Sequence, residues 1–224
     1  MQQIARGIYA IPGLKMGRSY LVEGHDGFAL VDTSSPSALD GILAGIAAIG
    51  RRPEELRAII ATHYHFDHVG NAGALIERTG AELCVHEADV PYVDGRTPWP
   101  DGGALGKALK LAPERFTLNV GRTLCEGDVL PFGGGIEVIH APGHTPGHIA
   151  LYSKEHRTLF SGDSFMHLLG FELPMPNATH DMAQARASIR RLATLDFENA
   201  LPGHGTPILS RANEKLATWA KAWV

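Results

Sequence analysis

The stretch "THYHFDHVGN", residues 62–71, places three histidines and an aspartate within six positions, directly after an apolar run, "LRAIIAT", that reads as a short buried strand. His63 and His65 lie two apart just past the strand end. In extended chain, side chains two apart point the same way, so two imidazoles can face one ion. Asp67 and His68 follow where the chain turns toward a helix, and the change of direction lets them address a second point nearby. Imidazole and carboxylate are the nitrogen and oxygen donors that zinc or iron prefers, so one loop can serve two metals. A chance H-x-H-x-D-H is expected in roughly two of a thousand chains of this composition, which makes coincidence a poor account.

Three further segments share one grammar, a strand that ends at Gly-His or Gly-Asp. "VIHAPGHTPGH" puts His144 in a Pro-Gly turn, "TLFSGD" puts Asp163 at a strand end, and "NALPGHG" puts His204 in another Pro-Gly turn. Ligands on glycine-rich turns at strand ends gather at one edge of a sheet sandwich.

The rest of the chain supplies that sandwich. "GIYAIPG", "SYLVEG" and "GFALVDT" read as successive strands, and "SPSALDGILAGIAAIG" as a helix with a Ser cap, Pro36 in its first turn and Gly50 at its end. A helix at "NAGALIERTG" and a strand at "AELCVHE" follow the cluster. Residues 91–113 change character, with Pro, Gly, Asp and Trp99 before a short helical piece at "ALGKALKL", and read as a surface excursion or lid. Strands return at "ERFTLNV", "RTLCEGDVLPF", "GIEVIHAPG", "HIALYSK" and "RTLFSGD". An amphipathic helix at "DMAQARASIRRLATLD", the strand "NALPGHG" and a closing helix over 210–223 complete the chain. The order of several strands, helix, strand, helix thus occurs twice without a linker. The expected fold is α/β (α+β), a four-layer αββα sandwich, in which residues 1–224 form one domain of two pseudo-repeated halves with the metal site between them.

Composition narrows the function. The chain has 224 residues, 44% hydrophobic and 20% charged, with a formal net charge of -4. It offers no general attraction for phosphate backbones or anionic membranes, so nucleic acid and membrane are not expected partners. The N-terminus lacks the apolar core of a secretory signal, and a cytoplasmic location is expected. Cys84 and Cys125 both read as buried free thiols.

The set His63-x-His65-x-Asp67-His68 with His144, Asp163 and His204, in that order and context, resembles the metallo-β-lactamase-fold hydrolases over nearly the whole chain. The resemblance implies a first metal held by His63, His65 and His144, a second held by Asp67, His68 and His204, and Asp163 bridging them. Two zinc ions per chain are expected, with iron or manganese also compatible with the donors. Cations about 3.5–4 Å apart can share a water and lower its pKa toward 7, giving a bridging hydroxide nucleophile, so no serine or cysteine is required. Hydrolysis of an ester, lactone or thioester bond in a small molecule is the expected activity. Asp67 is a ligand first and a proton shuttle second.

Within the family, the chain looks like the glyoxalase II and lactonase branch rather than a true β-lactamase, because class B β-lactamases lack the bridging carboxylate that Asp163 supplies. Glyoxalase II matches "PGHTPGHIALY" but uses a helical C-terminal region for glutathione, and only 20 residues follow His204 here. Acyl-homoserine lactonases share all seven ligand positions but commonly carry tyrosine three residues after the bridging aspartate, where this chain has Met166. Nucleases of the family add a further domain and a basic surface. Members that partner di-iron flavoproteins replace the second histidine with glutamate, whereas His65 is intact. A mononuclear iron persulfide dioxygenase and a catalytically silent metal-binding scaffold are the alternatives.

Secondary candidates carry local readings beside functional ones. Asp32 could orient a ligand histidine or close a turn, and His148 could support a ligand or bond backbone in a buried strand. His86 reads as a strand-end cap, and His25, His140 and His156 as turn or surface residues. His167 and His180 flank "LLGFELPMPNATH", a candidate substrate-contacting loop. Trp99, Met166, Leu168, Leu169 and Phe171 could line an apolar pocket or join the core. Tyr64 and Phe66 are expected to pack away from the metals.

Overall fold

A computed structural model describes residues 1–99 and 117–223, and the statements below concern those residues. Seven strands form the first sheet in chain order: β1 (Gln2–Ala5), β2 (Ile8–Ala10), β3 (Tyr20–Gly24), β4 (Gly27–Val31), β5 (Leu56–Ile60), β6 (Glu82–His86) and β7 (Arg122–Leu124). The first four pair antiparallel, and β4 to β7 pair parallel. The parallel pairs need crossovers, which α1 (Leu39–Ala48) supplies between β4 and β5. The one-turn α2 (Phe66–Val69) and then α3 (Ala72–Thr79) connect β5 to β6, and α4 (Val90–Val93) follows β6.

The second sheet holds β8 (Val129–Leu130), β9 (Ile136–His140), β10 (Ile149–Ser153) and β11 (Thr158–Gly162). A small hairpin, β12 (Met166–His167) and β13 (Phe171–Glu172), comes next. Helix α5 (Met182–Leu192) then crosses to β14 (Asn199–Pro202), which pairs parallel with β11, and α6 (Ala212–Lys221) closes the chain. Strand order in this sheet is β14-β11-β10-β9-β8.

Three apolar layers hold four structural ones together. Period-two alternation splits β4: Phe28 and Leu30 pack with Ile42, Ile46 and Leu75 beneath α1 and α3, whereas Ala29 and Val31 face the other sheet. Between the sheets lie Val22, Ile60, Val138, Leu151, Phe160 and Leu201. Ala150, Leu159, Ile189, Leu192 and Leu216 form the third layer, under α5 and α6. This is the αββα arrangement expected from the sequence. Helix α5 opens on Asp181, whose carboxylate accepts the Gln184 N–H at 3.0 Å, and α3 stops at Gly80, whose φ of 70° suits glycine.

Some expectations are corrected. Ser35 makes no side-chain cap; Pro36 opens a 3-10 turn over Pro36–Ala38 instead, and α1 starts behind it. Residues 117–120 carry no strand, and the helical piece at 104–111 lies outside the described residues, as does 100–113 of the excursion. Cys84 is buried, but Cys125 is exposed in the turn after β7, where its thiol donates to Glu87 Oε2 at 3.6 Å. His140 is no turn residue: it ends β9, stacked 4.1 Å from His86 and bonded through Nε2 to Pro146 O.

Candidate metal centre

The site grows from strand ends. Just past β4 sits Asp32, just past β5 His63, just past β11 Asp163, and just past β14 His204, while the β9–β10 connection carries His144. In open α/β sheets the carboxyl ends of strands are where chains diverge and a crevice forms. The loop after β5 starts extended, with His65 still in extended conformation at ψ 148°, and then winds into α2, which carries Asp67 and His68.

All seven sequence-selected residues converge. His63, His65 and His144 offer ligand atoms within 4.8 Å of one another, as do Asp67, His68 and His204, and as do His63, His68 and Asp163. His63 Nε2 lies 3.1 Å from His65 Nδ1. On the other side His204 Nε2 lies 3.4 Å from His68 Nε2 and 3.3 Å from Asp67 Oδ2. Asp163 reaches both groups: Oδ1 is 3.4 Å from His68 Nε2, and Oδ2 is 3.6 Å from His144 Nε2 and 3.3 Å from His204 Nε2.

The far ring nitrogens of His63, His68 and His144 are anchored, which aims the near ones. Asp32 Oδ2 takes His68 Nδ1 at 2.8 Å while also accepting the Thr62 hydroxyl, and Oδ1 accepts the Thr62 N–H. His63 Nδ1 meets Thr62 Oγ1 at 3.0 Å, and His144 Nδ1 meets Thr179 Oγ1 at 3.1 Å. Such partners fix ring orientation. His148 holds the backbone instead: Nδ1–H donates to Ala141 O, and Nε2 accepts the Asp163 N–H at 2.9 Å.

Electrostatics split the site in two. Burial pushes His65 down to about 4 and His148 down to about 3, and lowers His63 and His144 strongly as well, so all four rings are neutral, and His63, His65 and His144 can each offer a lone pair to an ion. For His68 burial acts the same way, but Asp163 and Asp32 outweigh it and raise the ring to about 9; Asp163 and Asp67 likewise raise His204 to about 10. Burial would raise Asp163, yet the surrounding histidines hold it well below the usual carboxylate range.

The residues fit cations. His144 Nε2 and Asp163 Oδ1 are buried with no hydrogen-bond partner among the described residues. An orphaned buried polar atom costs about 1–3 kcal/mol, a cost that cations bound in the two donor groups would remove.

Some secondary candidates go elsewhere. Phe171 stacks on Trp219 at 5.3 Å in the third apolar layer, Trp99 packs beside Tyr64, and Met166 is buried. Leu168 and Leu169 stand exposed at the β12–β13 turn, which His167 pins to the His204 loop through Thr206 O and Oγ1, both at 3.0 Å. Tyr64 is buried, stacked 4.4 Å from Tyr92, and its hydroxyl meets His180 Nε2 at 2.7 Å. Sequence reasoning missed Asp89. The available signal was its place three residues past the end of an apolar strand, the spacing that also separates His63 from the end of β5.

A four-layer sandwich that collects imidazole and carboxylate donors on one strand-end rim defines a metallo-hydrolase class of fold. The Metallo-beta-lactamase superfamily model matches residues 12–204, and the chain belongs to that superfamily. It is 30% identical to "Probable metallo-hydrolase YflN" of Bacillus subtilis, over 93% of this chain and 88% of that one. An N-acyl homoserine lactonase from a Bacillus species is 29% identical, with 77% of this chain and 73% of the relative covered. Among solved structures, TTHA1623 in a di-iron-bound form superposes with a TM-score of 0.65 at 32% identity, covering 90% of this chain and 93% of that chain. Among the described residues no helix is long and apolar enough to cross a membrane.

Proposed function

We propose that His63, His65 and His144 hold one divalent cation, that Asp67, His68 and His204 hold a second, and that Asp163 is shared between them in a hydrolase of ester, lactone or thioester bonds. The observation that carries this reading is the reach of the Asp163 carboxylate to both groups, 3.6 Å to His144 Nε2 and 3.3 Å to His204 Nε2. A pair of bound cations supplies an activated water and polarises the acyl oxygen. Zinc suits the nitrogen-rich donors, with iron the competing occupant given the di-iron relative.

The chain's own groups do the rest. Asp67 is a ligand first; its side chain is less enclosed than that of Asp163, 13% against 9% exposed, which supports a secondary role in taking a proton from the attacking water and returning it to the departing oxygen or sulfur. Asp32 keeps the His68 ring aimed, and His148 keeps the Asp163 backbone in place. Leu168 and Leu169, beside the His204 loop, together with exposed Met175 from the same segment, offer an apolar surface to part of a small substrate. The relationship to N-acyl homoserine lactonases supports a lactone as the first substrate to try.

A panel of acyl esters, lactones and thioesters, run beside an oxygen-uptake assay with a persulfide, tests the reading. Turnover of a lactone or ester without oxygen consumption is expected. Persulfide-dependent oxygen uptake with one iron per chain would replace the hydrolase with a dioxygenase, and two bound metals without turnover of any acyl substrate would leave a silent scaffold.

A further inference from the structure

Asp89 belongs to neither donor group, yet its carboxylate is fully buried between the two loops that bring His63, His65 and His144 together. Oδ2 accepts the Tyr64 N–H at 3.2 Å and the Thr145 hydroxyl at 2.7 Å, and Oδ1 accepts the Gly147 N–H at 2.6 Å. Tyr64 sits between His63 and His65, and Thr145 directly follows His144. The first loop extends β5 of one sheet; the second joins β9 to β10 of the other. One carboxylate therefore ties the two sheets where three imidazoles meet. The approach is close enough to need glycine: a Cβ on Gly147 would lie 2.5 Å from the Asp89 backbone nitrogen.

The other donor group is tied by different bonds. Asp32 fixes His68, and the Arg18 N–H donates to Gly203 O at 2.7 Å, next to His204. Nothing in that set runs through Asp89.

We propose that Asp89 is a positioning residue that sets the separation of the His63–His65 and His144 loops, and thereby the affinity of that donor group alone for its cation. The inference rests on the two-cation reading above. Its chemistry is that of an acceptor facing three donors: an aspartate can accept from all of them, whereas an asparagine amide turns two N–H bonds toward groups that already donate. At least one buried donor is then left unpaired and the loops part.

The test counts zinc per chain in competition with a chelator, for Asp89→Asn, Thr145→Val and Thr145→Ser, each made alone and combined with either His204→Ala or His63→Ala. In Asp89→Asn, one of two sites is expected to weaken about 10–100-fold, the range for loss of a partner that orients metal ligands. The loss should persist with His204→Ala, where only the His63, His65 and His144 group is whole, and vanish with His63→Ala. Thr145→Val should weaken the same site, and Thr145→Ser, which keeps the hydroxyl, should restore it. If Asp89→Asn does not fold, the Thr145 pair carries the comparison. Equal weakening in both histidine backgrounds, or unchanged affinity in Asp89→Asn and Thr145→Val, overturns the proposal while leaving two cations in the parent. A parent that binds fewer than two ions overturns the two-cation reading, and this inference with it.

Discussion

Replacing Asp163 with alanine is expected to cost the protein at least one of the two ions proposed for it and to lower turnover by about a thousandfold or more. The expectation follows from position. Asp163 places one oxygen 3.4 Å from His68 Nε2 and the other within reach of both His144 and His204, so its loss removes a donor from each group at once. A metal's stabilisation of developing charge is worth several kcal/mol, and each 1.36 kcal/mol is a factor of ten in rate. Folding should survive, because β11 and β14 are held by their ladder and by Leu159, Phe160 and Leu201 rather than by the carboxylate. Metal analysis and steady-state kinetics on the purified variant check this, and a variant with two ions and parental turnover would show that Asp163 is not shared.

The second large effect concerns metal removal and pH. His65, at about 4, and His148, at about 3, are neutral in the folded protein below the pH at which they take up protons in the unfolded chain, ordinarily near 6.5. Their lowered values mean stability is complete above pH 6.5 and is lost as pH falls toward 4, with His63 and His144 acting in the same sense. His68, raised to about 9, and His204, raised to about 10, act oppositely: their contribution is complete below pH 6.5 and is lost as pH rises through 9 to 10. Metal-free protein is therefore expected to be most stable near pH 6.5 and to weaken on both sides, by up to about 1.4 kcal/mol per pH unit for each such histidine. In the proposed two-cation centre, cations held by His68 and His204 would take the place of the protons on those rings. Loaded protein should accordingly keep its melting temperature from pH 6.5 to 9, where the stripped protein loses it, and a pair of parallel profiles would contradict the account.

Much of this centre is legible in the sequence because its donors sit on a repeated local feature, an apolar strand that ends in a turn bearing His or Asp. That feature needs no knowledge of the fold, and the fold only has to bring the turns to one rim. The αββα layering is readable for the same reason: period-two strands such as β4, with Phe28 and Leu30 to one side and Ala29 and Val31 to the other, alternate with amphipathic helices. What escapes is long-range or marginal. Asp89 looks like an ordinary turn residue, and its partners lie 25, 56 and 58 positions away. The edge strand β1 is largely exposed and shows no alternation, and β12 and β13 have two residues each. Phe171 and Trp99 could have served a pocket by composition, but packing partners elsewhere in the chain, Trp219 and Tyr64, claim them.

The central claim is that one aspartate is shared by two cations, and anomalous diffraction at the metal absorption edge, on crystals of protein purified without chelator, tests it most directly. The account predicts two peaks flanking the Asp163 carboxylate, one among His63, His65 and His144 and one among Asp67, His68 and His204. A single peak, or a second one away from Asp163, would contradict it.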